Sequence, residues 1–306
     1  MANTVKAVPT DERWGKESEA QLGAENEQSW KKEAFVDTIP WDYSRFRELL
    51  EKYSKVPPDQ VIAKIFEIRE KAWQIAKYPC IGYFTYLKLL EFDGTNPGMQ
   101  RALERLKAPG SQETFLEIGG FMCQTIRQLV FEGVDSARLY GTDLHSEFLE
   151  LGYEQFQDRE TLKATFVAGD LLVSDAEWAT SEMAKAFDGK MTIAHAANFF
   201  HLFSWDSQLI ICERIVGFFR RGLSAENPAV LFGNHLGSIK PGDVRVGGFR
   251  VFMHDQTTFQ SLWDEVGKKT GTTWKAHMEP VALAPPKPNV FSDDARVMRY
   301  SVSRVD

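Results

Sequence analysis

Apolar residues recur along this chain in two rhythms, and the change from one to the other lays out its elements. Between Ile39 and Phe46 aromatics crowd together (Trp41, Tyr43, Phe46), and a helix is expected over Tyr43 to Tyr53, stopped by Pro57-Pro58. Val61, Ile65, Ile68, Ala72 and Ile75 then repeat at helical spacing behind Asp59, a candidate cap, until Tyr78-Pro79 halts them. From Thr114 the pattern shortens. Thr114 to Ile118 is an apolar run of the kind found in strands buried in parallel sheets. Ile126, Leu129 and Val130 follow as a helix ending at Gly133, and Leu139 to Gly141 is a second strand. Ser146 to Phe156 predicts a helix capped by Ser146, Ala164 to Val167 a third strand, and Met191 to Ala194 a fourth. Ile211, Cys212, Ile215, Val216 and Phe219 mark a helix capped by Asp206 or Ser207 and ending at Gly222. Ala229 to Phe232 is the fifth strand, and a glycine-rich loop is expected from Gly233 to Gly248. Phe259, Leu262, Trp263 and Val266 give a last helix, closed by Gly271. Trp274, Ala276 and Met278, then Met298, Tyr300 and Val302, alternate with polar residues as two strands joined through Pro285, Pro286 and Pro288.

The fold class that follows is α/β: a doubly wound, Rossmann-like sheet with a C-terminal antiparallel hairpin and an N-terminal helical subdomain. Three regions are expected: a flexible arm over residues 1–37, a helical lid or substrate subdomain over 38–110, and a cofactor-binding domain over 111–306. The arm is rich in Glu, Lys, Gln and Asn and carries Trp14, Trp30 and Phe35.

The chemistry gathers at the first strand. Gly119-Gly120 follows it at once, so the backbone can turn and approach a ligand with no side chain in the way. The Gly-x-Gly-x-x-Gly fingerprint is absent, as is any Gly-Lys-Ser/Thr pair. Glu117 stands two residues before the turn, where a carboxylate repels pyrophosphate but suits an ammonium group. Asp143, ending the second strand, is placed to accept hydrogen bonds from ribose hydroxyls. S-adenosylmethionine (SAM) carries an amino-acid head, a sulfonium and a ribose, and fits both acids. Asp170, after the third strand, is a candidate for the exocyclic amine of adenine.

Composition narrows the setting. With 43% hydrophobic residues in 306, the chain can bury a large core, and its net charge of −7 holds no basic run for nucleic acid. Cys80, Cys123 and Cys212 lie far apart without a Cys-x-x-Cys, so neither a disulfide framework nor a metal site is expected. No apolar run reaches membrane-spanning length and no signal-peptide core is present, so a cytoplasmic protein is the default expectation.

Tyr78-Pro-Cys-Ile-Gly, Phe115-Leu-Glu-Ile-Gly, Leu139-Tyr-Gly-Thr-Asp-Leu, Leu162-Lys-Ala-Thr-Phe-Val-Ala-Gly-Asp and Asn198-Phe-Phe-His-Leu-Phe-Ser-Trp together resemble fungal secondary-metabolite methyltransferases. The resemblance runs from about Tyr78 to Met278 and is strongest to the carboxyl O-methyltransferases of meroterpenoid pathways such as those of austinol and terretonin. It implies a class I methyltransferase fold, SAM as cofactor, and a hydrophobic polyketide-derived or terpenoid acid as the small-molecule partner. It also places Gln124, Asp143, Leu144, Asp170 and Leu171 on the cofactor. The family's glycine turn usually reads Asp-Leu-Gly-Cys-Cys-Phe-Gly-Gln-Asp. Here Glu117 replaces the first Asp, Cys123 the last glycine and Thr125 the final Asp. A β-carbon at Cys123 would crowd the methionine moiety, which keeps two other readings open: a cyclase on the same fold, or a non-catalytic partner subunit.

Methyl transfer needs the nucleophile held about 3 Å from the sulfonium methyl with water excluded. A carboxylic acid, with a reference pKa near 4, is already anionic, whereas a phenol near 10 needs a base. Four histidines are candidates: His195 on the cofactor side, His235 and His254 on the substrate side, and His201 as the catalytic residue, since the resemblance places a histidine in that loop. Trp41, Tyr83 and Phe84 are expected to wall the substrate pocket.

Overall fold

The computed structural model describes residues 34–94, 96–246, 249–281 and 293–306. Residues 1–33 of the expected arm, with Trp14 and Trp30, and the Pro285, Pro286 and Pro288 loop lie outside them. At the arm's end Ala34 is buried and Phe35 packs on Trp73 and under the Arg69 guanidinium, so the packed part of the chain begins earlier than expected.

The helical part comes first. Helix α1, Ser44–Glu48, winds on as a π-helical turn over Leu49–Tyr53 and buries Phe46, Leu49 and Leu50. Helix α2, Val61–Ile75, buries Val61, Ile65, Ile68 and Ala72 as their spacing predicts, but its cap position is Gln60 and Asp59 makes no capping bond. A short turn α3, Pro79–Gly82, leads through two 3-10 turns, Thr85–Lys88 and Leu90–Phe92, to helix α4, Pro97–Lys107. Asn96 caps α4 by accepting from the Gly98 and Met99 amides.

The sheet has seven strands in the order β3-β2-β1-β4-β5-β9-β8. Its parallel members are β1 (Phe115–Ile118), β2 (Leu139–Thr142), β3 (Thr165–Phe166), β4 (Ile193–His195) and β5 (Val230–Ser238). A separate hairpin pairs β6 (Gly242–Val246) with β7 (Phe249–Met253). Strands β8 (Trp274–Pro280) and β9 (Ala295–Arg304) close the edge antiparallel, β9 lying beside β5. This is the class I methyltransferase arrangement.

Three sequence expectations are corrected here. The stretch from Gly233 is strand, not loop: β5 runs to Ser238 and the β6–β7 hairpin follows. The helix Trp205–Phe218 is capped by Ser204, which accepts from the Ser207 amide, so neither Asp206 nor Ser207 is the cap, and it ends well before Gly222. Ser146 sits inside the first turn of its helix, behind His145, and makes no capping bond.

Side chains alternate across the parallel strands. Phe115, Ile193 and Phe232 face one apolar cluster, and Leu116, Ala194 and Leu231 face the other. The first cluster also contains Ile65, Leu87, Phe92, Met99 and Ala102, so the helical part and one face of the sheet share a single core.

Candidate active site

The backbone after β1 is bent by three left-handed residues. Gly119 (φ +62°) needs its lack of a side chain, because a β-carbon there would lie 2.5 Å from the Phe199 ring. Phe121 (φ +56°) and Cys123 (φ +50°) adopt the same region with a side chain, at a cost of about 1 kcal/mol each. The position where the family carries glycine is therefore one that requires positive φ. The Gly120 amide donates to the Thr142 carbonyl at 3.0 Å, tying the turn to β2. A buried clamp holds the turn from below. Arg127 donates through Nη1 to the Met122 carbonyl at 2.7 Å, and its Nε and Nη2 meet both oxygens of Asp158 at 2.9 and 3.2 Å.

Register places the first acid. Glu117 is paired with Gly141 on β2 and with His195 on β4, so its side chain rises from the sheet next to the imidazole. It is buried, with Oε1 3.9 Å from His195 Nδ1, while Oε2 has no hydrogen-bond partner. Burial pushes its pKa up to about 7, against the opposing pull of His195 and the Thr125 hydroxyl. Oε1 of Gln124, at the start of the following helix, is a second buried acceptor without a partner. Asp143 accepts the Phe121 amide at 2.8 Å and the His145 amide at 3.1 Å, and burial raises its pKa to about 6. Tyr78 and His145 stand beside it with ring centroids 6.5 Å apart. Asp170 accepts the Leu172 amide at 2.8 Å, with Leu171 buried next to it, and Leu144, which follows Asp143, is exposed. Glu117, Gly119, Gly120, Gln124, Asp143 and Asp170 are thus gathered around the carboxyl ends of β1, β2 and β3.

The other expected residues are placed differently. His195 lies between Glu117 and Glu91, whose Oε1 is 3.5 Å from Nε2. His201 accepts the Leu236 amide at 3.4 Å through Nδ1, and burial pulls its pKa down to about 3. His235 is on the sheet face away from Glu117, 6.4 Å from the His201 ring and packed among Phe200, Phe259 and Tyr300, and burial holds it neutral. Both nitrogens of His254 are committed, to Gln208 Oε1 at 2.9 Å and Thr258 Oγ1 at 3.2 Å, so it ties two helices together. Phe84 is wholly buried between Phe66 and the Arg69 guanidinium and packs the helical core. Trp41 donates to the Tyr83 carbonyl at 2.6 Å with Lys88 over its ring, and both aromatics remain partly exposed.

A family model for the meroterpenoid methyltransferase N-terminal domain matches residues 39–87. O-methyltransferase phiE of Fungal sp. (strain ATCC 74256) is 39% identical over 232 residues, covering 75% of this chain and 73% of that protein. O-methyltransferase atr3 of Stereocaulon alpinum is 36% identical over 244 residues, 78% of this chain and 68% of that one. Asnovolin E/Chermesin D methyltransferase nvfJ of Aspergillus novofumigatus is 33% identical over 228 residues, 74% and 77%. The chain belongs to the fungal meroterpenoid-type O-methyltransferase family.

Three residues of this methyltransferase were not singled out by pattern. Glu91 had a signal, an acid inside Leu-Leu-Glu-Phe, and Tyr78 and Phe199 lay in the motifs without a role assigned. Among the described residues no group of His, Cys, Asp and Glu would hold a metal ion, and no helix is long and apolar enough to cross a membrane.

Proposed function

We propose that the protein transfers a methyl group from SAM to the carboxylate oxygen of a hydrophobic polyketide- or terpenoid-derived acid. The observation that carries this reading is the pair of buried acceptors without partners, Glu117 Oε2 and Gln124 Oε1, flanking a turn that a side chain at Gly119 would close. An ammonium brings three donors and a positive charge, which is what two orphaned acceptors in a buried site lack. Glu117 and Gln124 would therefore hold the amino group, Asp143 the ribose hydroxyls, and Leu144 and Leu171 the faces of the adenine, with Asp170 at its amine. When bound, SAM supplies an electrophilic methyl on a sulfonium, and the chain's task is to place an oxygen in line with it and keep water out.

His201 bears on the acceptor class. A ring whose pKa is about 3 is neutral in the cell and a weak proton acceptor, poorly matched to a phenol near 10. A carboxylate needs no deprotonation, so His201 is assigned to orienting the acceptor rather than taking its proton. The name of nvfJ gives Asnovolin E and Chermesin D for that relative, and the family model matched by residues 39–87 is of meroterpenoid methyltransferases, in keeping with an apolar acid here.

The test is isothermal titration with SAM and its demethylated product, S-adenosylhomocysteine. It is followed by incubation with methyl-labelled SAM and a panel of polyketide and terpenoid acids beside phenols of similar size. The expected label is base-labile, as in a methyl ester. Binding of neither nucleotide, or a base-stable ether product, overturns the reading, and product formation without label would point to cyclisation.

A further inference from the structure

We infer that Glu91 is a positioning residue for the cofactor, acting through His195 on Glu117. This rests on the reading that Glu117 holds the donor's ammonium group. The three side chains come from three distant parts of the chain and meet in a line. Glu91 lies in the 3-10 turn Leu90–Phe92, entered through left-handed Leu89 (φ +43°). His195 ends β4 and Glu117 stands near the end of β1. The imidazole faces a carboxylate at each nitrogen, at 3.5 Å and 3.9 Å, and all three residues are at least nineteen-twentieths buried. Both ring nitrogens fall short of full hydrogen-bond geometry, so the coupling is a long, charge-assisted contact to Glu91 and a purely coulombic one to Glu117.

Glu91 is fixed for this role. Asn96 donates to its Oε2 and Asn234, on β5, donates to its Oε1. Phe115 stacks on the His195 ring at 5.9 Å and Phe232 lies 5.1 Å from it, which sets the plane of the imidazole. Two carboxylates buried this close would repel strongly, and an imidazolium between them is the arrangement that offsets the repulsion. Burial favours the neutral ring, but Glu91, and after it Glu117, outweigh that and hold the His195 pKa above its usual value.

The other groups facing the chain are few. Glu117 also meets the Thr125 hydroxyl, the Ile126 amide and the Arg127 charge, with the Cys123 thiol nearby, and Glu91 also faces Tyr300. Neither Thr125 nor the amide carries charge, and Arg127 is already shared with Asp158. His195 is thus the cation that holds the Glu117 pKa down to about 7 against burial, and Glu91 is the group that keeps His195 charged. Without it the ring loses its proton, Glu117 takes one up, and its hold on an ammonium weakens.

The experiment titrates S-adenosylhomocysteine into the full chain between pH 6 and pH 9. In the wild type, affinity falls as pH drops through about 7. With Glu91→Gln, that fall is expected to begin about one pH unit higher, giving about fivefold weaker binding at pH 7 and little change at pH 9. Glu91→Asp should restore part of the profile. An unshifted profile, or an equal loss at every pH, overturns the proposal. No binding by the wild type overturns the cofactor reading instead. Should Glu91→Gln fail to fold, nitrogen-15 NMR of the wild-type His195 ring decides. A doubly protonated ring at pH 7 is expected, and a neutral one refutes the inference.

Discussion

At the scale of single residues, the proposed donor site depends on a carboxylate that burial disfavours. Glu117 titrates near 7 because its charge is desolvated, yet an ammonium binds only the ionised form. Donor affinity should therefore be full above about pH 8 and fall as pH drops through 7, by up to tenfold per unit. Glu117→Gln should cost about 1.5–3 kcal/mol of donor binding and flatten that profile, as read by calorimetry across pH. Cys123 gives a contrasting expectation. Its thiol is fully buried and fills the gap where β-carbons on Gly120 or Gly141 would lie 2.7 Å from Sγ. Cys123→Gly relieves a left-handed side chain and opens a small void, two effects of opposite sign near 1 kcal/mol each. Donor affinity should then stay within about threefold of wild type; a gain of tenfold or more would mean that the thiol intrudes on the site. The placement of Glu117 and Asp143 beside the turn was readable because each acid closes a short apolar run. Glu91 was not readable in the same way. Its partners Asn234 and His195 lie more than a hundred positions away, and only sheet register brings them together. His254 failed for the related reason that one of its partners, Gln208, is 46 positions distant.

At the scale of elements, the turn after β1 holds its shape because the helix behind it carries a buried ion pair. Arg127 is inaccessible, shares both oxygens of Asp158, and donates to the Met122 carbonyl inside the turn. Tyr53 adds a hydrogen bond to Asp158 at 2.8 Å, joining the helical part to the clamp. Arg127→Met leaves Asp158 buried without its cation and should cost about 3–5 kcal/mol, measured by urea denaturation. Adding Asp158→Asn should recover part of that loss, since the uncompensated charge is gone; no recovery would mean that the carbonyl contact dominates. Periodicity gave these elements but not their ends. The cap of Trp205–Phe218 is Ser204 because backbone geometry, not residue type, chose among three neighbouring polar residues. The continuation of β5 was masked by glycines that normally signal loops. Gly233 and Gly237 are there because the Ala196 and His254 carbonyls press against the strand where a β-carbon would stand.

At the scale of the whole molecule, the question is whether the helical part over 38–110 and the sheet over 111–306 are separable. One apolar cluster runs through both, with Phe115, Ile193 and Phe232 of the sheet buried against Leu87, Phe92, Met99 and Ala102. Polar ties cross the same boundary. Arg105 reaches Glu113 at 2.8 Å and the Pro228 carbonyl at 2.9 Å, and Glu91 completes its contacts with Asn234 and His195. Burying one large apolar side chain contributes about 1.5–3 kcal/mol, and a domain's net stability is only about 5–15 kcal/mol. Uncovering three sheet aromatics and aliphatics at once, with the helix Gln124–Phe131 beneath, therefore exceeds what the sheet half can lose. A chain of residues 111–306 alone should show helical far-ultraviolet circular dichroism but no cooperative melting and little near-ultraviolet signal, whereas the full chain melts in one transition. A sharp transition from the sheet half, at a temperature near that of the full chain, would show that the helices are an added lid. If the expected result holds, Glu91 and the turn after β1 belong to one folding unit, and a helix displaced by an acceptor would be felt at the proposed donor site through the same packed core.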